Sequence, residues 1–137
     1  MSVKFKAVPK AQPGVAGGGT PKYYASIIRS EKVDTRQFAE DIAEMNLLST
    51  TAVYAVLEAF FKRGNHYLSK GCILDLSQFG TFIPYISSTG VDTAEEVNAG
   101  TINSFYVNYR PGKLQRKQMA IVEFQKVANG ITIEEQL

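Results

Sequence analysis

The chain has 137 residues, 45% of them hydrophobic and 20% charged, the size and composition of one globular domain with room for a tail. No run of about 18 apolar residues occurs, so no membrane-spanning helix is expected. "MSVKFKAVPK" lacks the apolar core of a secretory signal, and the single cysteine, Cys72, cannot close an internal disulfide, which suits a reducing cytoplasmic setting.

The formal net charge of +2 is unevenly spread: residues 1–33 hold six basic residues against one acid, a local +5, which leaves −3 for the remainder. A second basic group, Arg110, Lys113, Arg116 and Lys117, lies late in the chain. Such clusters are either solvated surface or a face for a polyanion.

In chain order, "VKFKAV" (residues 3–8) alternates apolar and basic residues as a half-exposed strand does. "PKAQPGVAGGGTP" has the composition of a loop or flexible linker. "KYYASIIRSEK" reads as strand or irregular structure. A first helix is predicted from Asp34 or Thr35, with Phe38, Ile42 and Met45 on one face and Glu40, Asp41 and Glu44 on the other. Ser49 or Thr50 caps a second helix, in which Val53, Val56, Leu57, Phe60 and Phe61 keep helical spacing. Tyr67 and Leu68 extend that face until Gly71 ends the helix. The stripe is wider than one short helix covers, which points to a second subunit.

Strands are then predicted at "CILDLSQF", "TFIPYISS" and "INSFYVNYR", with Cys72 as a small buried hydrophobe and Pro84 at an edge or bulge. The intervening "STGVDTAEEVNAGT" is polar, acidic and turn-like. Pro111 suits the first turn of a third helix, "PGKLQRKQMA". "VEFQKV" is similar enough to "VKFKAV" to pair with it, "ANG" is a turn signal, and "ITIEEQ" is a further possible strand. The expected organisation is α+β: residues 1–33 as a strand and basic linker, 34–120 as the main domain, and 121–137 as a strand extension.

Catalytic chemistry finds no support. His66, the single histidine, has no nucleophile at a recognisable spacing and reads as a surface or capping residue. One His and one Cys do not make a metal site. Glu95 and Glu96 are neighbours in a polar loop. "GVAGGGTP" lacks the spacing and the Lys-Ser/Thr of a phosphate-binding loop. No cofactor, metal or small-molecule substrate is expected.

Two stretches carry a resemblance. "LSQFGTF", followed by "YVNYRPGKLQRK", is similar to the core signature of the HU/IHF family of bacterial histone-like, DNA-bending proteins. The resemblance covers roughly residues 35–120. It implies an α+β fold, with a two-helix base, a three-stranded antiparallel sheet and a short C-terminal helix, assembled as an intertwined homodimer. It also implies largely sequence-independent binding of double-stranded DNA in the nucleoid. On that basis Arg110, Lys113, Arg116 and Lys117 are expected to contact phosphate, with the backbone at Gly80 as a further contact. Phe60, Phe61, Phe79 and Phe82 are expected in the aromatic core and dimer seam. The chain departs from the family in several places. Gln78 stands where the family has glycine, and Tyr85 and Ser87 stand where basic residues are frequent. The arm region has neither proline nor arginine and carries Asp92, Glu95 and Glu96. The wedge that kinks DNA is therefore missing. The alternative reading is an HU-fold interaction module that has lost DNA bending or DNA binding.

Overall fold

The computed structural model describes residues 1–128. In chain order its main elements are β1 (Ser2–Lys10), β2 (Lys22–Ile27), α1 (Thr35–Asn46), α2 (Thr50–Ser69), β3 (Leu74–Asp75), β4 (Gly80–Ser88), β5 (Ile102–Pro111), α3 (Lys113–Ala120) and β6 (Glu123–Lys126). The chain divides into two compact units, Thr35–Met119 and the terminal segments on either side of it. The predicted turn at 128–130 and strand at 131–136 reach outside the described residues.

In the central unit, α2 begins and ends as its sequence dictates. The Ser49 hydroxyl accepts from the Ala52 amide at 3.2 Å, satisfying one of the free donors of the first turn. At the other end Gly71 takes φ +81, its amide donates to the Leu68 carbonyl, and the Cys72 amide donates to that of Tyr67. This is the paired closure that a left-handed glycine permits.

α1 packs on α2 through Ala39, Ala43 and Val53, with Ile42 and Leu57 against them. The predicted inward stripe of α1 therefore holds only at Ile42. Alanines give close packing at the helix contact, and this turns Phe38 and Met45 outward, 52% and 83% exposed.

The strand predicted from Cys72 to Phe79 is cut to Leu74–Asp75. The Asp75 carboxylate accepts from the Ser77 amide at 2.8 Å, Ser77 takes φ 53, and the Phe79 amide donates to the Leu76 carbonyl, so the chain reverses and enters β4 at Gly80. Cys72, expected to be buried, is exposed because it lies in the helix-closing turn before the strand.

The sheet order is β3-β4-β5, all antiparallel. β3 stops pairing at Phe82, so β4 has an open edge at Pro84, which lacks a donor. Pro111 closes β5 opposite Gly80 instead of opening α3, which starts at Lys113.

In the terminal unit the order is β2-β1-β6. β1 and β2 form an antiparallel hairpin, and β6 runs parallel to β1, so "VKFKAV" and "VEFQKV" do lie side by side. The glycine-rich stretch is a closed hairpin loop rather than a linker. Its Gln12 amide donates to the Gly18 carbonyl at 2.8 Å, and left-handed glycines carry the reversal. Among the described residues no helix is long and apolar enough to cross a membrane.

Candidate nucleic-acid interface

The two quoted motifs meet in one latch. The Phe79 carbonyl accepts from the Gly112 amide at 3.1 Å and from the Tyr109 hydroxyl at 2.7 Å. The Tyr109 hydroxyl also bonds the Gln115 side-chain amide, tying α3 to the end of β5. The Tyr109 ring lies 5.7 Å from that of Phe79 and 5.1 Å from that of Phe82. This close approach needs both glycines. A β-carbon on Gly80 would sit 2.4 Å from the Arg110 carbonyl, and one on Gly112 would sit 2.2 Å from that of Gln78. Gly80 is buried and thus has a packing role.

Alternation along β4 and β5 separates two faces. One turns to the helices: Phe82, Val107 and Tyr109 line a groove of about 530 Å³ with Phe60, Phe61 and Leu68 of α2. Phe60 and Phe61 meet edge to face at 5.9 Å yet remain 43% and 46% exposed, and Phe105 of β5 is 52% exposed. Phe79 lies outside the groove lining, against Tyr109, and is 57% exposed.

The opposite face pairs Thr81 with Arg110, Ile83 with Asn108, Tyr85 with Tyr106, and Ser87 with Ser104. The Tyr85 and Tyr106 rings stack at 5.8 Å, and Arg110 donates to the Tyr85 hydroxyl at 3.2 Å. This face is rich in hydroxyl and amide groups and carries one cation. The sequence motifs did not reveal it, because the cross-strand partners of β4 depend on how many residues the intervening loop absorbs.

Past Arg110 the chain turns directly into α3, where Lys113, Arg116 and Lys117 are exposed at i, i+3 and i+4, a spacing that places them together on the helix surface. No acid stands in its first turn, and Lys113 occupies the positive end of the helix dipole, where a carboxylate would be more stable. Among the described residues none of these four cations forms an ion pair within 4 Å.

At the far end, residues 89–101 fold into two short turns, Ala94–Glu96 and Ala99–Thr101. Thr93 bonds the Glu96 carboxylate at 3.2 Å, and the Asn98 side chain accepts from the Gly100 amide at 2.8 Å. The tip carries Asp92, Glu95 and Glu96, and no proline.

None of the curated proteins compared with this chain matches it. Among solved structures, a protein of Bacteroides vulgatus ATCC 8482, described as a candidate bacterial DNA-binding protein, matches 92% of this chain with a TM-score of 0.64 and 13% identity. The match takes in 48% of that protein's length, and at this identity the likeness is one of fold. A family model described as an HU domain fused to a wHTH, Ig or glycine-rich motif matches residues 1–126, running from β1 through β6. That span takes in the helix pair, the glycine latch, the three-stranded sheet and the flanking terminal strands, and the chain belongs to the HU-HIG family.

Proposed function

We propose that this chain is a non-enzymatic, HU-like nucleoid protein of the cytoplasm that binds duplex DNA as a homodimer, largely without regard to sequence. The observation that carries this reading is the run of cations at the end of β5 and along α3. Arg110, Lys113, Arg116 and Lys117 are exposed and form no ion pair among the described residues, next to a sheet face of hydroxyls and amides. Cations and hydroxyls of this kind hold phosphate and fix orientation, but they carry no base code. Gly80 contributes through the latch that sets Arg110 and α3 in place. The groove lined by Phe60, Phe61 and Phe82 is the seat for the partner protomer. The solved relative described as a candidate DNA-binding protein supports the same reading.

Replacing Lys113, Arg116 and Lys117 together by Gln tests the site. Exposed substitutions of this kind leave stability within about 0.5 kcal/mol. Affinity is expected to fall alike for all duplex sequences, with a shallower salt dependence. Parent-like binding by the triple variant would overturn the assignment.

The acidic tip favours a second reading, an HU fold whose arm contacts another protein, because carboxylates are repelled by phosphate and no wedge is present. Both readings predict little kinking. Energy transfer between the labelled ends of a short duplex should scarcely change on binding. A bend near the 80° of wedge-inserting architectural proteins, about that of TBP, would contradict it.

A further inference from the structure

We infer that the terminal sheet presents a lysine face to the DNA phosphate backbone, a second contact surface on the same chain; this rests on the DNA-binding reading above. Residues paired across a ladder share a face of the sheet. The pairings Lys6↔Ser26, Val8↔Tyr24 and Lys10↔Lys22 therefore collect Lys4, Lys6, Lys10 and Lys22 on one side. The pairings Val3↔Phe124, Phe5↔Ile27 and Ala7↔Ala25 make the other side mainly apolar, with Lys126 opposite Phe5 as its one cation among the described residues, while Val8 and Tyr24 lie among the lysines. Among the described residues, Glu123 opposite Ser2 is the one acid on the lysine side. None of the four lysines forms an ion pair among the described residues.

Two features point to a regular polyanion. Lys10 and Lys22 are direct cross-strand partners, and like charges so placed destabilise a hairpin unless a counter-charge lies over them. The spacing also fits. Lys4 and Lys6 stand ~6.8 Å apart on β1, Val8 takes the next place on that side, and Lys4 to Lys10 spans ~20 Å. Phosphates of one DNA strand rise 3.4 Å each along the axis, so the three lysines of β1 reach along the rise of about six phosphates. A lipid surface would instead engage the apolar side, where Phe124 is 72% and Tyr23 72% exposed.

The test uses the full chain with Lys10→Gln and Lys22→Gln together. A charge-matched control carries Lys62→Gln and Lys70→Gln, and a rescue variant carries Lys10→Arg and Lys22→Arg. Binding of a mixed-sequence duplex is followed against salt, and thermal unfolding is followed without DNA. The dimer loses four lysines; with about half of them engaged, the slope of log K against log salt flattens by about 2, and binding weakens more than about tenfold at 0.1 M salt. The same variant should unfold at a higher temperature than the parent, because the like-charge pair is gone. A lysine pair that only supported the fold would give the opposite shift. The control should leave the slope in place, and the arginine variant should restore it.

A parent-like slope in the Gln variant, with the α3 variant still impaired, would overturn the lysine face and leave the proposed function standing. A parent with no salt-sensitive DNA binding would remove both. Loss of binding to phosphatidylserine vesicles with DNA binding intact would overturn DNA as the occupant and reassign the face to a membrane.

Discussion

Replacing Gly80 by alanine is expected to cost the fold more than about 4 kcal/mol, a large part of the 5–15 kcal/mol that stabilises a typical domain. The added β-carbon would lie 2.4 Å from the Arg110 carbonyl oxygen and 2.5 Å from the Tyr109 ring. The first neighbour is backbone and cannot swing aside. The second is held by its hydroxyl bond to Phe79. The φ of +150 at this position adds strain for any residue with a side chain. Gly90→Ala is the matched control: nothing lies within 4 Å of its β-carbon, and the change should stay within about 0.5 kcal/mol. Urea unfolding of the two variants separates them. A Gly80→Ala protein within 1 kcal/mol of the parent would mean that β4 and β5 do not approach as closely as described.

The midpoint of thermal unfolding is expected to rise by about 2–3 °C for each tenfold increase in protein concentration, as it does when folding and association are coupled. The buried hydrophobic residues of the described structure are Ala39, Ala43, Val53 and Leu68, three of them small. Phe60, Phe61, Ile86 and Phe105 are roughly half exposed. Each large side chain left half in water forgoes about 1 kcal/mol, a heavy loss against the narrow net stability of a domain. A second copy seated on this apolar surface would recover that loss. A midpoint independent of concentration, with a monomer mass in solution, would rule the homodimer out.

The features legible in the sequence are those set by neighbours in the chain. Ser49 and Gly71 mark the ends of α2 because capping is decided within one turn, and the apolar spacing between them is regular. The glycine-phenylalanine stretch and "YRPG" were legible as a pair through the resemblance to the HU/IHF family, and the structure supplies the physical reason: close approach leaves no alternative to glycine at Gly80 and Gly112. Other features depended on partners far along the chain. The α1 contact uses Ala39 and Ala43, which a search for large apolar residues passes over. β3 ends early because the Asp75 side chain competes with the ladder for the Ser77 amide, and an alternating pattern does not reveal that. The lysine face and the Tyr85–Tyr106 stack both require a cross-strand register, which the loop lengths conceal.

The most direct measurement is a titration of the parent protein with mixed-sequence duplex DNA over about 50 to 200 mM salt. Arg110, Lys113, Arg116 and Lys117 give four cations per protomer, and each phosphate neutralised contributes about −0.9 to the slope of log K against log salt. Full engagement by a dimer would give roughly −7. Engagement of about half these side chains gives about −4, and contacts from the terminal sheet would steepen it. A slope of about −4 or steeper, similar for unrelated sequences, is the predicted result. Binding that does not respond to salt, or no binding to duplex DNA at all, would contradict the account and leave the protein-interaction reading in its place.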